Sequence, residues 1–282
     1  MQSIQSICVC GAGTMGSGIA QLCAQSGFPT ILYDLDPSIL QKAKAGIEKN
    51  WQLGIEKGKL SEAEKERADS LLKFTGNISD CVADLIIEAI IEIEEIKVSL
   101  FHQLENLNGN NCILATNTSS LSVTAIAERT KHKEHVIGLH FFNPAPLMRL
   151  VEIVKTKYNS QTIIDATILF AKQLGKTVVV CRDAPGFIVN HVARPYYIEA
   201  LNLVESGFSD FETIDELMES SGFKMGPFKL MDLIGNDVNY AVSCSVYEAM
   251  GKPERLKPSP IQKEKVEKGE LGRKTKKGYY SY

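Results

Sequence analysis

SICVCGAGTMGSGIAQLCAQSGFPTILYD, residues 6–34, decides the fold. An apolar, β-prone run (IQSICVC) leads into a glycine turn. A helical stretch follows and closes on Gly27, then a second strand, PTILYD, ends in an acid. Gly11, Gly13 and Gly16 fit G-x-G-x-x-G, with Thr14 and Met15 between the last two. The spacing is weak evidence alone. Placed between a strand and a helix, with Asp34 closing the next strand, it is a dinucleotide-binding fingerprint. The first glycine permits a tight turn, the second lets backbone approach a pyrophosphate, and the third lets helix and strand pack closely. The pyrophosphate would rest on amides at the positive end of the helix. Asp34 can accept hydrogen bonds from both ribose hydroxyls but would repel a 2′-phosphate. No arginine follows in DLDPS, so the motif favours NAD over NADP. The alternative is a glycine-rich packing turn with no ligand.

Strand-like and helix-like stretches alternate outward from this unit for about 180 residues. Residues 38–72 are helical, with a break at GIEKGKLSE where Ser61 can cap a second helix. DLIIEAI, NCILATN, EHVIGLHFF, LMRLVEIV and KTVVVC read as strands; EEIKVSLFHQLENL and SQTIIDATILFAKQLG read as helices. Such alternation implies a doubly wound, mostly parallel sheet of Rossmann type. Beyond CRDAPGF the β-rich runs cease. FIVNHVARPYYIEALNLVESG, DFETIDELMES and NDVNYAVSCSVYEAMG all have helical periodicity, with Pro195 expected to kink the first. The expected domains are 1–183, α/β, and 184–282, all-helical. About 100 residues of helix have little core of their own, so a homodimer is expected.

The 282 residues carry 31 Lys and Arg against 34 Asp and Glu, a net charge of −3, which implies no general affinity for nucleic acid. Residues 251–282 are locally basic, ten Lys and Arg against four Glu, and read as a solvated surface or a grip for a phosphorylated ligand. No leader pattern and no apolar run of about 20 residues is visible, so neither secretion nor a membrane span is expected. Cys8, Cys10, Cys112 and Cys181 sit in or beside strand-like runs. They read as reduced core residues of a cytoplasmic protein. Cys8-Val9-Cys10 has the wrong spacing for a zinc knuckle or a thioredoxin-type pair, and no metal is expected.

NTSSLSVTAIAERTKHKEHVIGLHFFNPAP, residues 117–146, poses the chemical question. Ligands of open α/β sheets bind outside the carboxyl ends of the strands. That puts Asn117, Thr118, Ser119 and Ser120 on the ligand side after NCILAT. His140 likewise ends HVIGLH. Glu152, twelve residues on, lies in the apolar LVEIV, where a lone carboxylate is costly. If a proline-bearing turn brings them together, the carboxylate would fix the imidazole tautomer, raise its pKa and leave one nitrogen as a base. Alternatively, His140 is a core histidine bonded to a carbonyl and Glu152 faces solvent.

The glycine turn, NTSSLS, GLHFFNPAP, LVEIV, APGFIVN and MGPFKLMDLIG, in this order, resemble the 3-hydroxyacyl-CoA dehydrogenase family, particularly short bacterial 3-hydroxybutyryl-CoA dehydrogenases. The likeness covers essentially the whole chain. It implies NAD-dependent interconversion of (S)-3-hydroxyacyl-CoA and 3-oxoacyl-CoA, with a coenzyme A thioester as substrate and a dimer formed by the helical domain. It further implies His140 as base, Glu152 as its orienting partner, and Ser119 and Asn190 beside the substrate oxygens. Glu92 and Lys97 would lie on the cofactor side, and Asn143, with Asn117, near the nicotinamide. The sequence departs from the family in three places. His191 replaces the usual arginine after GFIVN and reads as structural. Of two lysines expected near the coenzyme A phosphates, the first position is Leu53 and the second Lys57, with Lys59 as a further candidate for substrate binding. GNDVNY is more polar than usual, with Asp237 expected to cap a helix. Two other functions stand beside this one. A free-acid β-hydroxyacid dehydrogenase would need a lysine in the long helix, where FIVNHVARPYY has none. A non-catalytic NAD-binding protein would not need Ser119, His140, Glu152 and Asn190 together.

Overall fold

The computed structural model describes residues 4–110 and 112–282. Residue 111, the first of the NCILATN run, and residues 1–3 lie outside the described residues. The chain forms two compact units, one ending at Asp183 and the other running from Ala184 to Tyr282.

The first unit alternates as the periodicity predicts. In chain order it contains β1 (Ile7–Cys10), α1 (Thr14–Gln25), β2 (Thr30–Tyr33), α2 (Pro37–Glu56), α3 (Glu62–Leu71) and β3 (Leu72–Thr75). There follow β4 (Leu85–Glu88), α4 (Glu94–Asn108), β5 (Ile113–Thr116), α5 (Val123–Glu128), β6 (Val136–Phe141), β7 (Leu150–Lys155), α6 (Gln161–Gln173) and β8 (Thr177–Arg182). The strands form one sheet in the order β3-β2-β1-β4-β5-β6-β7-β8. Every neighbouring pair is parallel except β6 with β7. Chain order reverses between β1 and β4, the switch point where such sheets leave a crevice for ligands. All residues of β1, β4 and β5 are buried, as helices on both faces require. Ile19, Leu32, Ile87 and Phe170 belong to the resulting core, and each fully buried aliphatic or aromatic side chain contributes about 1.5–3 kcal/mol. Ser61 does cap α3: its hydroxyl accepts from the Glu64 amide while Glu64 reaches back to the Ser61 amide, a reciprocal capping box.

Two elements of this unit escape the periodicity. β3 begins immediately after α3 without a turn residue, and α5 is only six residues long.

The second unit contains α7 (Val189–Glu205), α8 (Phe211–Ser220), α9 (Pro227–Ile234), α10 (Asn236–Ala249) and α11 (Pro260–Glu267). Its core joins Tyr197, Leu201, Ile214, Phe228, Met231 and Tyr279. Phe211, Phe228 and Tyr279 pack mutually, with ring centroids 4.8–5.0 Å apart. Residues 251–282 are therefore not simply a solvated basic surface. Asp232, almost fully buried, accepts the backbone amides of Tyr279 and Tyr280 at 3.0 Å each and the Tyr282 hydroxyl at 3.1 Å. The aromatic residues supply the burial and Asp232 satisfies the backbone, while the lysines other than Lys265 are exposed.

Candidate active site

At the glycine turn, Gly11 has φ +101°, and a Cβ there would lie 2.5 Å from the Ala89 carbonyl oxygen. A Cβ on Gly16 would meet the Gly11 carbonyl oxygen at 1.7 Å. These two glycines are demanded by the fold. Gly13 is not: a Cβ there meets nothing within 4 Å. It is the exposed N-cap of α1, has no side-chain cap, and no acid follows in the first turn. Open space over uncapped amides suits a pyrophosphate. Thr14 is exposed and Met15 half-buried at the same end. Asp34, at the end of β2, accepts the Ala12 amide at 2.8 Å and the Asp36 amide at 3.0 Å, one on each oxygen. A carboxylate oxygen has lone pairs for more than one donor, so this geometry accommodates ribose hydroxyls. The residues present fit a bound NAD.

The carboxyl ends of β4 and β5 carry a charge network, buried at Lys97 and Glu88 and reaching the surface at Glu92. Lys97, on α4 and 1% exposed, donates to Glu88 Oε1 at 2.6 Å and lies 3.1 Å from Glu92 Oε2. Thr116 Oγ1 donates to the other Glu88 oxygen at 2.8 Å. Glu92 Oε1 accepts from Thr118 Oγ1 at 2.5 Å, the Ser119 amide at 3.0 Å and Ser120 Oγ at 3.1 Å. Burial pushes the Glu88 carboxyl up, and Lys97 and Thr116 only partly offset it. Burial pushes Glu92 up as well, but Lys97, Thr118 and the Ser119 amide outweigh it, leaving its pKa below the ordinary value. The network therefore holds the hydroxyl loop. Lys97 acts on that loop through Glu92.

His140 and Glu152 are direct partners in the β6–β7 ladder. The antiparallel pairing of the two strands, joined through Pro144 and Pro146, places both side chains on one face. His140 Nδ1 lies 2.7 Å from Glu152 Oε2, with His140 5% and Glu152 0% exposed. Of the two open readings, the hydrogen-bonded His140–Glu152 pair is the one that forms. A carboxylate only accepts, so the proton sits on Nδ1 and the lone pair of the neutral ring lies on Nε2. Phe142 packs on the imidazole, ring centroids 4.5 Å apart. Asn117 Oδ1 accepts the Phe141 amide at 2.8 Å, locking the hydroxyl loop to the strand bearing His140. Ser119 is half-buried on that loop and Asn143 is exposed just beyond β6. Lys57 is exposed at the end of α2, as is Leu53 one turn earlier.

In the helical unit, Asn190 lies in the first turn of α7, half-buried. Its carbonyl accepts from Arg194 Nε at 3.0 Å. Arg194 is itself buried, donates to the Asn239 carbonyl and Ser243 hydroxyl, and has its pKa pushed down to about 10 by burial. His191 Nδ1 donates to the Pro185 carbonyl at 2.9 Å. Asp237 does not cap α10. Gly235, φ +105°, takes that position, and Asp237 pairs with Lys274 at 2.6 Å. Asn236 and Asn239 are buried packing groups, bonded to Asp232 and Gln262 respectively.

Sequence reasoning passed over Glu88, Thr116 and Arg194. Glu88 carried a usable signal, a carboxylate inside the apolar run LIIEAI, the same anomaly that singled out Glu152.

Residues 6–184 match the NAD binding domain of 3-hydroxyacyl-CoA dehydrogenase, and residues 186–282 match that enzyme's C-terminal domain. The chain is 43% identical to the 3-hydroxyadipyl-CoA dehydrogenase of Escherichia coli, across the whole chain but only 60% of that relative. It is 36% identical to the 3-hydroxybutyryl-CoA dehydrogenase of Mycobacterium tuberculosis over 99% of each. The solved (S)-3-hydroxybutyryl-CoA dehydrogenase of Ralstonia eutropha superposes with a TM-score of 0.93 at 37% identity, covering 99% of each chain.

Proposed function

The chain belongs to the 3-hydroxyacyl-CoA dehydrogenase family, and from that premise we propose that it interconverts (S)-3-hydroxyacyl-CoA and 3-oxoacyl-CoA, with a short acyl group of the hydroxybutyryl kind. The observation that carries this reading is the buried His140–Glu152 pair at 2.7 Å, at the carboxyl end of β6. Bound NAD supplies the hydride chemistry. The protein supplies the rest. His140 takes the substrate hydroxyl proton on Nε2 as the alcohol is oxidised and returns it in the reverse direction. Glu152 holds the ring in the required tautomer and stabilises the imidazolium. Ser119 offers a hydroxyl to the oxygen on which charge develops. Glu92, Lys97, Asn117 and Asn143 shape the cofactor side, Asp34 and the glycine turn hold the adenosine half, and Lys57 faces the coenzyme A phosphates. Asn190 enters through the family resemblance as a second group for the substrate oxygens.

A second acyl group has specific support: the Escherichia coli relative, similar over the whole chain, is named for 3-hydroxyadipyl-CoA, whose acyl group ends in a carboxylate. A homodimer is proposed through the helical unit, where Phe208, Val192 and Leu217 are 82%, 70% and 61% exposed. The seven cysteines form no disulfide, which suits a reducing cytoplasm. No helix of the described residues is long and apolar enough to cross a membrane.

The test follows NADH oxidation with acetoacetyl-CoA, 3-oxoadipyl-CoA and free acetoacetate in parallel. Turnover confined to the thioesters is expected, and their kcat/KM ratio selects the acyl group. Turnover of the free acid alone would overturn the assignment.

A further inference from the structure

We propose that Cys8, Cys10 and Cys81 form a binding site for one soft, thiophilic metal ion of d10 configuration, of the copper(I) kind. The pleat of β1 turns residues 8 and 10 to one face of the sheet and Val9 to the other. Cys81 arrives from the turn preceding β4, the strand hydrogen-bonded beside β1. The three Sγ atoms all lie within 4.8 Å of one another, and those of Cys8 and Cys10 are 3.9 Å apart. An ion at the centre of a sulfur triangle, with bonds of about 2.3 Å, separates its sulfurs by about 4 Å. The thiols are therefore near their bonding positions already.

All three side chains are 0% exposed. No fourth Cys, His, Asp or Glu joins the group among the described residues. Structural zinc takes four ligands in a tetrahedron. A buried, three-sulfur environment matches instead an ion that prefers soft donors and tolerates low coordination. Binding converts thiols to coordinated thiolates and releases their protons to solvent.

The frame is rigid. β1 is paired on both edges. The Cys81 amide donates to the Ile78 carbonyl at 2.9 Å, the Cys81 carbonyl accepts from Asn108 Nδ2 at 2.9 Å, and Asn108 Oδ1 accepts the Ala83 amide at 3.1 Å. Ligands held this way lose little freedom on binding. The site lies close to the surface: Val82, the next residue, is 56% exposed. Cys8 and Cys10 alone have no ligand spacing; the third sulfur comes from a loop that only the fold brings near.

Three small core residues would fill the same space without binding anything, and the experiment separates the two. Full-length, reduced protein is titrated anaerobically with copper(I) against a chromophoric copper(I) chelator. The expected result is one equivalent withdrawn by the protein, with X-ray absorption showing three sulfur neighbours at about 2.3 Å. Cys81→Ala and Cys10→Ala each abolish that equivalent, whereas Cys23→Ala, at a buried cysteine outside the group, retains it; circular dichroism confirms that each variant is folded. Should one variant fail to fold, the other and the parent stoichiometry still decide. No copper withdrawn by the parent protein, a nitrogen or oxygen shell around the ion, or an undiminished equivalent in Cys81→Ala or Cys10→Ala overturns the proposal.

Discussion

Replacing Glu152 by glutamine tests the proposed catalytic pair most directly. The carboxylate is fully buried and meets His140 Nδ1 at 2.7 Å. Glutamine preserves the size and removes the charge. If the amide presents its oxygen, the tautomer survives but the imidazolium loses its counter-ion. If it presents its nitrogen, the ring must flip its proton to Nε2 and can no longer act as a base. General acid–base catalysis contributes about a hundred- to ten-thousandfold. Glu152 acts through His140, so a loss in kcat of about a hundred- to a thousandfold is expected, roughly 3–4 kcal/mol of transition-state stabilisation. A fully buried residue cannot touch the substrate, so KM for the thioester and the affinity for NADH should stay near the parent values. The assay is steady-state nicotinamide absorbance with acetoacetyl-CoA, paired with NADH fluorescence titration. A kcat within a factor of about three of the parent, roughly 0.6 kcal/mol, would refute the assigned role. So would a loss carried entirely in KM.

Two alanines in the glycine turn should behave oppositely. Gly13→Ala, placed in open space, folds with a parent-like melting temperature but binds NADH more weakly, while Gly16→Ala, whose Cβ would meet the Gly11 carbonyl at 1.7 Å, loses stability first. Lys97→Met leaves Glu88 without its buried counter-ion, so urea unfolding should show a loss of about 3–5 kcal/mol; a loss below about 1 kcal/mol would mean that both carboxylates find other partners. Asp34→Ala with Leu35→Arg should move cofactor preference toward NADPH, read as the ratio of kcat/KM values; an unmoved ratio would show that another residue reads the ribose. Lys265 and Lys277 hold the Glu270 carboxyl down to about 2. Its stabilising contribution is therefore fully present above the ordinary 4.5 and lost as pH falls from there toward 2. Glu270→Gln should flatten that part of the acid-unfolding curve, and an unchanged curve would count against the ion pairs.

Local chemistry explains what could be foreseen. The run 6–34 announced strand, turn, helix, strand and acid because each element there obeys its own periodicity and punctuation. β3 stayed hidden because helix passes into strand at Leu71–Leu72 with no breaker between them. Pairing of His140 with Glu152 was one of two open readings because spacing cannot tell whether two strands run parallel or antiparallel, and only antiparallel pairing sets them opposite each other. The buried role of Lys97 was invisible because its partner Glu88 lies on a strand while it lies on a helix. The basic segment misled for a different reason: its lysines signal solvent, whereas Tyr279 and Tyr280, which charge counting ignores, anchor it on Asp232.

The β6–β7 ladder has a further consequence, for how activity fails. Both strands are interior to the sheet, flanked by β5 and β8. Many active sites ride on loops that melt before the domain does, so heating silences them early. Here the proposed base, His140, and its partner Glu152 sit at facing positions of two strands, and separating them means tearing the sheet. Amide hydrogens around His140 should therefore be among the last to exchange. Thermal inactivation should track global unfolding, with no cooler step in which a folded enzyme has already gone quiet.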